Sequence, residues 1–249
     1  MAHPVLILGG TTEARALAGA LAGREDMAPV VSLAGRTVNP LAYPVSMRVG
    51  GFGGAEGLAC WLREHGVRAL IDATHPYAAQ MSQNAASAAG LTGVPLLALR
   101  RPAWTPIAGD RWIEVADAVE AVAALGAAPR RVLLALGRQE LGPFEAAPQH
   151  WYLVRSVDPV DPALAVPQAE YLLGRGPFDA ADEEALLRSH CIEFIVAKNS
   201  GGSATYGKLA AARALGIEVL LFRRPLPPSV REVGTVAEAV AWLDGMMAG

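Results

Sequence analysis

The chain has 249 residues, 52% of them hydrophobic, and 21 Lys and Arg against 24 Asp and Glu give a formal net charge of −3. That length can bury a large core as one large or two small domains, while the near-neutral charge and sparse aromatics give nucleic acid no footing. Cys60 and Cys191 lack any metal-ligand spacing, which argues against zinc or any other metal and fits a reducing cytoplasm, and no apolar stretch is long enough for a membrane span or a signal peptide.

The first apolar run, VLILGGTTEAR (5–15), predicts a strand over 4–9, a glycine turn, and a helix over about 12–23. A helix N-terminus offers unpaired N–H groups and partial positive charge, which suit a pyrophosphate, and glycine lets the backbone approach it. Gly9, Gly10, Thr11, Thr12 and Glu13 are therefore candidate cofactor residues. The dinucleotide fingerprint is degenerate, with Gly9, Thr11 and Ala14 in its three glycine places. A plain capped turn is the alternative.

The next strand, 29–34, leads to Arg36 and Thr37. An acid there would bind a ribose 2′-hydroxyl, whereas an arginine suits a 2′-phosphate, so NADPH is favoured over NADH. A solvated arginine is the competing reading. Further strands are predicted at 45–49, 68–72, 95–99 and 112–115, with helices at about 55–65, 76–90 and 117–125. Continuously apolar runs such as RALIDA and FIVA predict parallel strands covered on both faces.

The segment DATHPYA (72–78) closes one of these strands. Pro76 fits the first turn of the following helix. Asp72 reads as a brace for the loop and Thr74 as a further cofactor contact. His75 is a candidate proton donor and Tyr77 a ring for stacking or a hydrogen-bond donor, so these two are the catalytic candidates.

The second half repeats the first. VLILGGTTEA (5–14) matches VLLALGRQEL (132–141), RTVNP (36–40) matches RSVDP (155–159), and REHGVRALIDATHP (63–76) matches RSHCIEFIVAKNSG (188–201). Two more matches follow in order, 85–102 with 208–225 and 115–125 with 233–243. The expectation is two tandem Rossmann-like α/β domains, 1–126 and 127–249, with mainly parallel sheets and a ligand cleft between them. Edge strands around 111–115 and 231–233 are candidates for exchange between the halves. His65 and His190 are equivalent in the repeat and read as structural, at helix ends.

The two halves diverge at their loops. Thr11 is replaced by Arg138, and the loop AKNSGG places Lys198, Asn199, Ser200, Gly201 and Gly202 before a helix. Cations and a glycine nest suit carboxylates, so these six residues are the substrate candidates.

Together ILGGTTEAR, DATHPYA, the GR of 137–138, the GPF of 176–178 and KNSGG resemble the precorrin-6A reductases and cobalt-precorrin-6A reductases of cobalamin biosynthesis. The resemblance covers nearly the whole chain. It implies NADPH-dependent reduction of the C18–C19 double bond in ring D of precorrin-6A, giving precorrin-6B. Apart from the resemblance, the cysteine usage, charge and hydropathy lead to the expectation of a cytoplasmic protein with no nucleic-acid or membrane partner, and two domains that share a cleft make a monomer sufficient. Two alternatives stand beside the reductase reading: a cofactor-free two-domain tetrapyrrole enzyme of the uroporphyrinogen-III synthase type, and a two-lobed small-molecule binding protein.

Overall fold

Alternate side chains of each buried strand find a helix layer on both faces, which is why the strand sequences are continuously apolar. The computed structural model describes residues 2–35 and 41–247. In β1 (His3–Leu8), Val5 and Ile7 pack with Leu17 and Leu21 of α1 (Thr12–Leu21), whereas Leu6 and Leu8 pack with Leu58 and Leu62 of α2 (Gly54–Glu64).

The chain continues through β2 (Met27–Leu33), β3 (Ser46–Val49), β4 (Ala69–Asp72), α3 (Ala79–Thr92), β5 (Leu96–Leu99), β6 (Trp112–Val115) and α4 (Ala118–Leu125). The second half supplies β7 (Arg131–Ala135), β8 (Trp151–Ser156), β9 (Ala169–Leu173), α5 (Ala180–Ser189), β10 (Phe194–Lys198), α6 (Gly207–Leu215), β11 (Glu218–Phe222), β12 (Arg231–Val233) and α7 (Val236–Met247). Among the described residues no helix is long and apolar enough to cross a membrane.

Two parallel six-stranded sheets result, ordered β12-β5-β4-β1-β2-β3 and β6-β11-β10-β7-β8-β9. Both follow the Rossmann order, with the last strand taken from the other half of the sequence. The compact units are accordingly Met1–Pro102 with Pro225–Gly249, and Ala103–Arg224. A division at 126/127 is corrected by these pairings. Val219 N–H donates to Arg111 O and Arg223 N–H to Val115 O, which fix β6 beside β11; Arg100 N–H donates to Val233 O, which fixes β12 beside β5. Ala239 and Leu243 of α7 are buried in the same cluster as Leu17 and Leu21.

The sheet registers test the repeat residue by residue. Val5 pairs with Ala69 and Val132 with Phe194, so Ala69 and Phe194 are equivalent, an offset of 125 that matches the sequence alignment there. Leu6 pairs with Val30 and Leu133 with Leu153, an offset of 123. By that offset Arg155 takes the strand position of Ser32, while residues 36–40 of the sequence match with 155–159 lie outside the described residues.

Helix ends confirm the repeat locally. His65 and His190 share φ −97° and ψ 5°, and the next residues, Gly66 and Cys191, have φ of +57° and +50°. Asp117 caps α4 and Thr235 caps α7, each with a glutamate three residues on bonding back to the chain. One boundary differs from expectation. Pro76 lies in a turn closed by Ala78 N–H donating to His75 O, and α3 begins only at Ala79. Asp72 holds Thr74 and Ser82 together, so the chain makes an extra turn before the helix starts.

Candidate active site

In the first unit the turn after β1 needs both glycines, for different reasons. A Cβ on Gly9 would lie 2.8 Å from Val31 Cγ1, whereas Gly10 has φ +111° and open space where a Cβ would be. Gly10 N–H faces the Tyr43 hydroxyl at 3.4 Å. Thr11 is the N-cap of α1, and its Oγ1 accepts from Ala14 N–H at 3.1 Å and donates to Ala73 O at 2.8 Å. That hydroxyl therefore builds the loop, tying the turn after β1 to the one after β4.

Thr12 is exposed and donates to Glu13 Oε2 at 3.1 Å; the same carboxylate takes Arg101 Nη1 at 2.5 Å. Arg101 thus offsets a negative charge that would otherwise face an anion at the helix N-terminus. Arg15 stacks over Tyr43 at 4.6 Å and donates to Ala42 O. Arg36 and Thr37 lie outside the described residues.

Asp72, 2% exposed, braces the next loop as expected. It accepts from Thr74 Oγ1 (2.7 Å), Thr74 N–H (3.2 Å), Ser82 Oγ (2.6 Å) and Arg100 Nη2 (3.1 Å). The Thr74 hydroxyl proton is thereby committed within the loop. His75 Nδ1 accepts from Tyr77 N–H at 3.3 Å, and the two half-buried rings lie 5.6 Å apart. An acceptor at Nδ1 selects the neutral tautomer protonated at Nε2, which makes His75 a hydrogen-bond donor through that nitrogen.

In the second unit, Arg138 is exposed and opens a short 3-10 turn, Arg138–Glu140, after β7. Lys198, the last residue of β10, donates from Nζ to Glu140 Oε1 at 2.5 Å. Asn199 is buried and its amide clamps the backbone of Trp104: Oδ1 accepts from Trp104 N–H (2.8 Å) and Nδ2 donates to Trp104 O (2.9 Å). Trp104 Nε1 donates to Gly202 O at 2.8 Å. Ser200 is buried, and Gly201 and Gly202 both have positive φ, 68° and 74°. Asn199 and the two glycines thus shape a closed loop.

Beneath that loop lies an ionic cluster. Arg155 pairs with Glu183 and stacks over Phe178 at 4.1 Å. Lys208 is 4% exposed, donates to Thr205 O at 2.6 Å, and sits 5.0 Å from the Trp104 ring centroid. Burial pushes its ammonium down to about 7, helped by the charge of Arg155 and opposed by Glu183.

Sequence reading brought together the turns after β1 and β4 and named Lys198, but it gave no role to Trp104 and did not pair Arg101 with Glu13 or Glu140 with Lys198. The repeated RRP (100–102, 223–225) was the available signal for Arg101, and the match of Glu13 with Glu140 was the signal for Glu140.

These features define an α/β protein of two Rossmann-like units whose candidate loops follow the carboxyl ends of parallel strands. The family model described as precorrin-6x reductase CbiJ/CobK matches residues 4–244. A precorrin-6A reductase from Sinorhizobium sp is 59% identical over 236 residues, covering 95% of this chain and 90% of that protein. A precorrin-6A reductase from Mycobacterium tuberculosis is 45% identical, covering 97% of this chain and 98% of its own. The solved structure of CobK precorrin-6A reductase superposes with a TM-score of 0.93 at 49% identity, covering 98% of this chain and 97% of that one. The chain belongs to the precorrin-6x reductase family.

Proposed function

We propose that the protein is an NADPH-dependent precorrin-6A reductase of cobalamin biosynthesis, which saturates the C18–C19 bond of ring D to give precorrin-6B. Near full-length identity to relatives named precorrin-6A reductase carries this reading. The turn at Gly9–Glu13 fits a diphosphate: space is open above Gly10, and Arg101 neutralises Glu13. NADPH supplies the hydride when bound. Gly9, Gly10, Thr12 and the N-terminus of α1 hold its diphosphate, with Thr11, Glu13 and Thr74 shaping the loop around it, and Arg36 with Thr37 takes the 2′-phosphate. His75 is the proton donor at the reacting end, where Tyr77 stacks on the macrocycle or donates a hydrogen bond to it. Arg138 meets the carboxylates of the substrate, and the Lys198–Gly202 loop borders it.

Ligand titration against thermal stability tests the cofactor, because a bound ligand raises the unfolding temperature by linkage. NADPH is expected to raise it well above NADH, and Arg36→Ala to weaken NADPH about 30-fold while leaving NADH unchanged, the loss of roughly 2 kcal/mol of charge-assisted contact. No shift with either nucleotide at millimolar concentration returns the protein to the cofactor-free reading.

A further inference from the structure

One polar group at the turn after β1 comes from outside it. Tyr43 lies in the segment that returns from β2 to β3, and its ring packs against the cluster of Leu17 and Leu21. Its hydroxyl thereby sits over both glycines: Gly10 N–H faces it at 3.4 Å, and a Cβ on Gly9 would lie 3.5 Å from it. A bond of 3.4 Å is long for an N–H donor. The hydroxyl's own proton has no acceptor among the described residues. A backbone N–H and a phenol O–H therefore converge on one spot, and a single anionic oxygen about 2.8 Å from each satisfies both.

Arg15 fixes that arrangement from α1. It stands four residues after the N-cap Thr11, its guanidinium lies 4.6 Å from the Tyr43 ring centroid, and it donates to Ala42 O. Tyr43 is thus held by its ring and, through its neighbour, by its backbone. Arg15 pairs with no carboxylate among the described residues. A cation near the start of a helix opposes the macrodipole, a cost that an anion bound at the turn removes. The second unit lacks the device: in the match of 5–14 with 132–141, the next residue after the first segment is Arg15 and after the second is Gly142.

We propose that Tyr43 binds the cofactor, its hydroxyl donating to the diphosphate oxygen that Gly10 N–H also holds, and that Arg15 is its positioning residue, a reading that rests on the NADPH assignment above. The role is one of binding alone. The hydroxyl contributes a hydrogen bond far from the reacting ring, and the diphosphate is the same before and after the reduction.

Tyr43→Phe keeps the ring beneath Arg15 and removes the hydroxyl alone. In a titration followed by NADPH fluorescence it is expected to bind NADPH about 10-fold more weakly, the size of one hydrogen bond to a charged group. With precorrin-6A as substrate the loss should fall in KM for NADPH, with kcat at saturating NADPH within about twofold of the parent, as for a contact equally strong in ground and transition states. Arg15→Lys keeps the charge and gives up the planar stack, and is expected to weaken NADPH by a similar factor. The double variant should bind within about twofold of Tyr43→Phe, since both changes remove the same contact. A Tyr43→Phe protein that binds NADPH within about twofold of the parent, or whose loss falls in kcat, overturns the role of Tyr43. Additive losses in the double variant overturn the positioning role of Arg15. A parent protein that binds no NADPH at millimolar concentration overturns the cofactor assignment instead.

Discussion

Asp72 stands at a strand end among candidate site residues, yet four donors saturate it, one of them Arg100, itself only 8% exposed. Removing the carboxylate leaves the buried guanidinium of Arg100 with Glu232 as its remaining carboxylate partner and frees the loop that carries His75 and Tyr77. Asp72→Ala is expected to cost about 3 kcal/mol of stability, and Ser82→Ala about 1, as read by urea unfolding. Equal losses would show that the charge pair with Arg100 contributes little. Its bracing role was legible in the sequence because Thr74 lies two residues away. The role of Asn199 was not: its amide looked available for a ligand, and its partner Trp104 lies 95 residues earlier in the chain. The Glu140–Lys198 pair spans 58 residues and was equally hidden. Local turn chemistry can be read from spacing; contacts closed by the fold cannot.

Elements were legible for the complementary reason. Strands buried on both faces and helices with capping boxes announce themselves locally, so the predicted strands of the first half lie within two residues of those observed, β6 at 112–115 included. What a helix carries into the interior was not legible. Lys208, in the first turn of α6, is buried with Arg155 and Glu183. Its titration near 7 has a definite sign. Between about pH 7 and the ordinary lysine value near 10.4, the unfolded chain holds a proton that the folded chain has released. Unfolding free energy therefore rises with pH across that window, by about 1.4 kcal/mol per unit at most, and the cost of burying the charge is fully present below it. Urea midpoints measured from pH 6.5 to 10 should climb in the parent relative to Lys208→Met. Parallel curves would mean that Lys208 stays protonated throughout.

At the scale of the molecule, each sheet is completed by the last strand of the other half. Sequence similarity alone proposed a cut at 126/127, because β6 and α4 follow β5 in the chain just as β12 and α7 follow β11. Similarity is blind to which of two equivalent strands pairs with which sheet: both carry the same pattern, and only the connections decide. The consequence is energetic. A fragment of residues 1–126 lacks β12 and α7, so Leu97 and Leu99 lose the strand beside β5, and Leu17 and Leu21 lose Ala239 and Leu243. It also carries β6 and α4 without β11 to pair with. Losing several buried leucine contacts costs more than a small domain holds in reserve. Residues 1–102 joined by a flexible linker to 225–249 restore the sheet as it is observed. This joined chain is expected to unfold cooperatively in urea, while the 1–126 fragment shows a much lower midpoint or no cooperative transition. Equal midpoints for the two would mean that β6 and α4 can take the place of β12 and α7, and that the connecting segments alone impose the exchange in the intact chain.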